Sequence, residues 1–490
     1  MSNLRTFFTS SFSAVTNPTV LGLTLHRAWI ATFFFSANIF VGADPSNTYV
    51  GQIYSISLLS LACILVAGGL APNATKRLMD LRFMRIAAPT LLSIGSLSML
   101  LVSSPDASAL LPVSAGVLTG VGSGFLLLYW GELYGSSEPT TAQIHSALAF
   151  MLAAFIYALF LLLSSSMLYI LVSAILPLLS GIALAKARKA DTGVPHETHA
   201  IVQGERSMLQ VAAAALIISF VHAGLMVVTR NLPQEASSTV SFIAFEMTYT
   251  LTLLVSTIII ALLIFVTIFL SKKSDMGLIY RFVLLFLIIG VLFSPFAGTI
   301  GTLSTIIVNA GYTCFELIFW IALSNISFRY HISPIRVFGL GRAGWVFGVF
   351  LGGLYPPLPF VGIAPLSPLT SAFFMISVLI VCTVVTYTFI LPERTIVAIT
   401  TGYGGRRGSL QSRCQKLSKQ FGLSQRENEV LACIVRGRDT SYIQQTLNIS
   451  AGTVSTHRMR IYQKIGVHSR QELLDMLEQV HSDEPVLPKL

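Results

Sequence analysis

From about residue 22 to residue 391 the chain alternates between apolar runs of bilayer length and short polar connections. This alternation dictates what it can fold into. A helix crossing lipid hydrocarbon needs about 20 apolar residues, and its backbone groups must bond within the segment because no water reaches them. About twelve runs reach that length: 22–42, 49–70, 84–103, 109–130, 142–163, 165–185, 208–229, 240–270, 278–296, 300–324, 339–355 and 371–391. The expected fold class is all-α, beginning with a polytopic bundle of about 12 spans over residues 1–393.

Composition agrees that lipid is the solvent for this part. Hydrophobic residues make up 54% of the chain and charged residues 11%, against about a quarter charged in soluble proteins. Disorder is excluded by the same figures. Five scattered cysteines (Cys63, Cys314, Cys382, Cys414 and Cys433) form no CxxC pair, which argues against a disulfide framework or a zinc site. The charge is unevenly spread: residues 401–490 hold 21 charged side chains and residues 1–400 only 31. The C-terminal 90 residues therefore read as a small, basic, soluble domain. The first 20 residues are broken by Asn17 and Pro18 and lack a clean apolar core, so the first span is expected to be an uncleaved anchor.

Loop cations predict the orientation. With the N-terminus cytoplasmic, one face collects Lys76, Arg77, Arg82 and Arg85, then Lys186, Arg188, Lys189 and Arg206, then Lys272, Lys273 and Arg281, then Arg329, Arg336 and Arg342. The other face has only Arg230. Both termini are thus expected in the cytoplasm of a multi-pass protein of the inner (cytoplasmic) membrane. The longest cytoplasmic connection, 186–206, divides the spans 6+6. Phe125-Leu-Leu-Leu-Tyr-Trp130 and Phe315-Glu-Leu-Ile-Phe-Trp320, displaced by 190 residues, suggest a repeat. Twelve spans in two halves with a charged central loop resemble the major facilitator fold. That family's loop between spans two and three is only partly kept: Gly68-Gly-Leu-Ala-Pro-Asn-Ala-Thr-Lys-Arg77 has the glycines and cations but no Asp.

Ionisable residues inside spans are costly and mark function or interhelical bonding. Glu246, Glu316 and His222 are the candidate ligand-binding set of a central cavity, with Tyr129, Trp130, Tyr249, Phe319 and Trp320 as aromatic neighbours able to stack on a ligand. Arg27 and Glu132 are read as snorkelling to the interface, and His145 as a hydrogen-bonding residue.

After Pro392 the apolar pattern stops. Residues 394–417, including Thr400-Thr-Gly-Tyr-Gly-Gly-Arg-Arg-Gly-Ser409, are expected to be a flexible cytoplasmic linker. Four short helical patterns then fill residues 418–483. Ser424-Gln-Arg-Glu427 is a capping box that opens the first, and Gly437 ends it. The second covers Thr440 to Leu447, Ser450 caps the third, Gly466 closes it, and a second capping box at Ser469 and Glu472 opens the fourth. A short helix, a tight turn and a basic helix make a helix-turn-helix. Its third helix offers Thr453, Ser455, Thr456, His457, Arg458, Met459, Arg460 and Lys464 as candidate DNA-binding residues: hydroxyls for phosphates, Arg for guanine or phosphate, Met459 for a thymine methyl. Glu427 and Glu429 are expected to cap and solvate the first helix, and Cys433 to sit in its core.

Leu423-Ser-Gln-Arg-Glu-Asn-Glu-Val-Leu431 and Ile449-Ser-Ala-Gly-Thr-Val-Ser-Thr-His-Arg-Met-Arg-Ile-Tyr-Gln-Lys-Ile-Gly-Val467 strongly resemble the LuxR-type DNA-binding domain. Tyr442 and Gln445 depart from its usual residues. The resemblance implies that the third helix enters the major groove and that the fourth makes a dimer contact. Before residue 420 no soluble run is long enough for a receiver domain.

The expected function is a membrane-bound one-component transcription regulator. A small-molecule ligand is sensed in the membrane part, and double-stranded promoter DNA is bound by a homodimer of the C-terminal domain. The alternative is a transporter with an added regulatory domain. No nucleophile–base pair, phosphate loop or metal cluster is present, so no enzyme, cofactor or metal is expected, and His196 and His199 alone are too sparse for a ligand set.

Overall fold

The computed structural model describes residues 16–35, 48–71, 82–102, 110–160, 166–187, 198–231, 255, 276–293, 299–353, 368–402, 414, 417–418, 420–435, 440–447 and 449–479. The chain divides into two compact units, Met1–Thr400 and Thr401–Leu490.

In the first unit, the expected runs become α1 (Pro18–Phe35), α2 (Thr48–Leu70), α3 (Arg82–Leu97, with a further turn Met99–Val102), α4 (Leu110–Gly135), α5 (Pro139–Phe160), α6 (Ser166–Lys186), α7 (Thr198–Asn231), α8 (Met276–Phe293), α9 (Thr299–Tyr330), α10 (Pro334–Gly353) and α11 (Pro368–Val385). A π-helical turn, Thr386–Ile390, continues α11. The expected span at 240–270, with Glu246 and Tyr249, lies outside the described residues except for Val255. Among the described residues, eight helices are long and apolar enough to cross a membrane, and nine if the bent pair Ile376–Ile390 and Glu393–Thr400 counts as one span. Many large apolar side chains, including Phe83, Ile86, Leu110, Phe155, Ile182 and Phe389, are exposed on this unit, while Trp29, Trp130, Tyr134, Trp320 and Phe338 are fully buried. That inversion of an ordinary soluble protein suits lipid on the outside.

The helix pairings repeat. In the first half α1 packs on α5 and α6, and α3 on α4 and α6; in the second, α7 packs on α10 and α11, and α8 on α9 and α11. These are corresponding pairs under the six-span offset. The halves meet where α2 and α4 pack on α10, and α4 and α5 on α9.

Two glycine contacts let α2 and α10 cross closely between the halves. A Cβ on Gly339 of α10 would stand 2.6 Å from the Leu65 carbonyl oxygen of α2, and one on Gly69 would stand 2.9 Å from the Leu340 nitrogen. Gly69 therefore belongs to a crossing between the halves, which corrects its reading as part of a loop motif. In the second half, Gly344, Gly348 and Gly352 present one stripe of α10 to the Ala212, Leu216 and Phe220 carbonyls of α7, where any Cβ would collide. Small residues at this spacing let helix backbones touch, as van der Waals packing in lipid requires.

The membrane unit also runs further than expected. A short helix α12 (Glu393–Val397) and a π-helical turn Ala398–Gly402 follow Pro392. Ile396, Ile399 and Thr400 are buried, so the linker does not begin at residue 394. Ile396 and Ile399 join the main apolar core; such residues read from sequence as an isolated fragment, and only the neighbouring helices supply their burial.

The second unit holds α13 (Gln425–Val435), α14 (Thr440–Leu447), α15 (Ala451–Ile465) and α16 (Arg470–Gln479). Their inward faces, including Val430, Leu431, Ile434, Ile443, Val454, Ile461, Ile465, Leu473 and Leu477, close one core, and Cys433 lies in it. Ser450 caps α15 by accepting from the Thr453 N–H at 3.2 Å, and Gly466 ends it at φ 79°.

Candidate functional sites

The membrane unit gathers three charges at the contact between its halves. Arg27 of α1 donates from both terminal nitrogens to the two carboxylate oxygens of Glu316 on α9, at 2.8 and 2.7 Å. Arg342 of α10 donates to Glu316 Oε1 at 3.1 Å. The Arg27, Glu316 and Arg342 side chains are 17%, 12% and 6% exposed respectively. Arg27 is thus a bidentate partner, not a snorkelling residue, and Arg342 is a core residue, not a loop cation. Pro334 was the available signal for Arg342: a proline at the first helical position starts α10 early enough to carry Arg342 well inside the span.

Aromatic rings enclose the two guanidinium groups. The Arg27 group lies 3.5 Å from the Phe150 ring centroid. That of Arg342 lies 5.1, 5.7 and 5.8 Å from the rings of Trp345, Phe319 and Trp320. Such contacts attract a cation through the ring quadrupole. Trp345 also stacks on Phe319 at 5.3 Å and packs on Tyr312 at 4.8 Å. Tyr312 stacks on His222 of α7 at 3.7 Å, and His222 Nε2 shares a hydrogen bond with Asn309 Oδ1 at 2.9 Å. Glu316 and His222, expected together, are linked through this aromatic cluster. Tyr129 and Trp130 lie elsewhere in the core, Trp130 donating to Ser180 Oγ at 3.3 Å. Glu132 is buried, which also overturns its reading as a snorkelling residue. In α1, His26 meets Ser123 Oγ of α4 at 3.1 Å.

The last residue of the unit is held from both halves. The Thr400 carbonyl accepts from Gln143 Nε2 of α5 at 3.1 Å, and from Asn325 Nδ2 and Arg329 Nη2 of α9 at 3.4 and 3.3 Å. Arg329 Nη1 also donates to the Ala398 and Ile399 carbonyls at 3.1 and 2.6 Å. A guanidinium at a helix C-terminus satisfies carbonyls that have no helical partner. Sequence marks Arg329 only as a loop cation.

In the second unit, Thr453, Ser455, Thr456, Arg458, Met459, Arg460 and Lys464 of α15 are exposed and His457 is half-buried. Two hydroxyls are engaged locally: Thr453 Oγ1 with Ser450 Oγ at 2.8 Å, and Thr456 Oγ1 with the Gly452 carbonyl at 2.9 Å. Lys464 differs from the others. Its Nζ donates to Glu427 Oε2 at 2.7 Å and to the Gly422 carbonyl at 3.2 Å, tying α15 to the start of α13. Glu427 is correspondingly buried, not solvated. Glu427 Oε2 also accepts from the Ser424 N–H at 2.7 Å, completing the capping box. The bonds from Lys464 and then Ser424 hold this carboxyl at about 2, below its ordinary 4.5.

Comparison with known proteins separates along the same division. Residues 422–477 match the GerE family, described as bacterial regulatory proteins of the luxR family. Over 86 residues the chain is 36% identical to the uncharacterized response regulatory protein YgeK of Escherichia coli K12, covering 17% of this chain and 58% of that protein. It is 28% identical over 93 residues to the response regulator UvrY of the same strain, covering 17% of this chain and 43% of UvrY. The matched segment thus spans about half the length of these relatives. By fold, 77% of the chain superposes on 95% of the proton:xylose symporter XylE of the major facilitator superfamily, with TM-score 0.51 and 14% identity. The Escherichia coli fucose:proton symporter FucP superposes with TM-score 0.51 and 13% identity, over 76% of this chain and 99% of that one. The chain joins a helical bundle with the fold of these symporters to a C-terminal helix-turn-helix whose residues 422–477 match the luxR family.

Proposed function

We propose that the protein is a one-component transcription regulator of the cytoplasmic membrane, in which the bundle senses a small molecule and the tethered domain binds promoter DNA. Glu316, His222 and Glu246 are assigned to the ligand, Glu246 on sequence alone. Thr453, Ser455, Thr456, His457, Arg458, Met459 and Arg460 are assigned to DNA, with α16 as the homodimer contact. Lys464 is assigned instead to holding α15 on α13. Both termini are cytoplasmic, and residues beyond Thr400 lead to the DNA-binding domain.

The observation that carries this reading is the double hold on Thr400. Helix α9 bears Glu316 at the ion-pair cluster and Asn325 and Arg329 at the Thr400 end, while Gln143 reaches the same carbonyl from the first half. A ligand that binds one arrangement of the halves better shifts them toward it, and the residue from which the tether leaves moves with them. Promoter occupancy by the intact chain, with and without candidate small molecules, tests the proposal. Glu316→Gln and Glu246→Gln should remove the response while DNA binding by residues 401–490 persists. An unchanged response in both variants would overturn the pocket assignment.

Transport is the second reading, favoured by the fold shared with solved symporters. Fold alone does not carry function. This reading requires substrate accumulation in proteoliposomes.

A further inference from the structure

Arg27, Glu316 and Arg342 leave one positive charge unmatched among the described residues. Arg342 Nε and Nη1 are buried without a hydrogen-bond partner, although only 5% of the residue is exposed. Buried guanidinium donors that meet no protein acceptor are unusual and costly in a native structure. The Trp320 ring 5.8 Å away carries a second buried donor without a partner, Nε1.

We propose that this cluster binds the carboxylate of a small aromatic acid, with Arg342 as its main cation and the Trp345, Phe319 and Trp320 rings as its walls. The proposal rests on the sensing role proposed above and names the ligand class for that site. A guanidinium binds a carboxylate through charge-assisted hydrogen bonds. An aryl group packs on aromatic side chains in offset or edge-to-face contact. A bound carboxylate gives Arg27 and Arg342 a second acceptor beside Glu316. It also competes with Glu316 for the guanidinium groups, and Glu316 is the residue through which α1 of the first half is ion-paired to α9 of the second.

The test uses the intact chain in lipid nanodiscs, with benzoate and its neutral isostere benzamide as probes, read by calorimetry and tryptophan fluorescence. Benzoate should bind saturably and at least tenfold more tightly than benzamide. Arg342→Lys, which keeps the charge but loses the planar donor set, should weaken benzoate at least tenfold and leave benzamide unchanged. Equal binding of acid and amide, no binding of benzoate at millimolar concentration, or benzoate affinity unaltered by Arg342→Lys would each overturn the proposal. The first two outcomes need no variant, so a misfolded Arg342→Lys would not obscure the result. Promoter occupancy in the same samples separates the two ideas. Benzoate binding without any change in occupancy would retain this site and refute sensing. Occupancy that responds to a neutral small molecule, with acid and amide bound alike, would refute this site and retain sensing.

Discussion

Glu427 and Lys464 show how one ion pair can be mistaken for two independent surface charges. The carboxylate caps α13 and receives Lys464 at 2.7 Å, so removing its charge should cost the C-terminal domain roughly 1–3 kcal/mol. The pH dependence has a definite sign. Because the folded carboxyl is held at about 2 against an ordinary 4.5, its contribution is complete above 4.5 and is lost as the pH falls toward 2. Denaturant unfolding of residues 401–490 should therefore show Glu427→Gln less stable than the natural chain at pH 7, with a narrower gap at pH 3. The arginines of α15 should behave differently. Arg458→Ala and Arg460→Ala should each weaken promoter binding about tenfold or more with little change in stability. Where the arginine grips a phosphate, its removal should lower the salt dependence of binding by about one unit of slope. Lys464→Ala should instead lower stability and leave that slope unchanged, as measured by titrations at several salt concentrations.

At the scale of the element, glycine has opposite meanings in α10 and α15. Gly348 stands where a side chain would strike the Leu216 carbonyl. Gly348→Val should force α10 away from α7 and sharply reduce the yield of folded, monodisperse protein in detergent. Gly452 has nothing nearer a new Cβ than Ser450 Oγ at 3.9 Å. Gly452→Ala should stabilise the C-terminal domain by up to about 1 kcal/mol through helix propensity, a shift visible in thermal unfolding. Sequence alone does not separate these glycines, since both sit in helices of clear periodicity. What separates them is the backbone opposite. The capping residues were legible, by contrast, because Ser424 with Glu427 and Ser450 with Gly466 act on groups within a few residues of themselves.

At the scale of the whole molecule, α9 connects the ion-pair cluster to Thr400. If movement of the halves reaches the tether along this route, Arg329→Ala and Gln143→Ala should reduce the ligand-dependent change in promoter occupancy while leaving ligand affinity nearly intact. Loss of ligand binding in these variants would instead place them in the pocket.

The sequence by itself determined the two-solvent division of the chain, eleven of the expected spans as helices, and the helix-turn-helix with its core and its caps at Ser424, Ser450, Gly466 and Ser469, the expected stop at Gly437 lying outside the described residues. Each of these depends on the length and period of an apolar pattern or on bonds between near neighbours. The tertiary structure alone decided which buried charges meet. Arg27 and Glu316 lie 289 residues apart, and an apolar run carries a charged residue into the membrane without stating which face of its helix turns to which neighbour. Helix rotation and glycine-mediated approach set that choice, and they made a snorkelling arginine and a loop arginine into partners of one carboxylate.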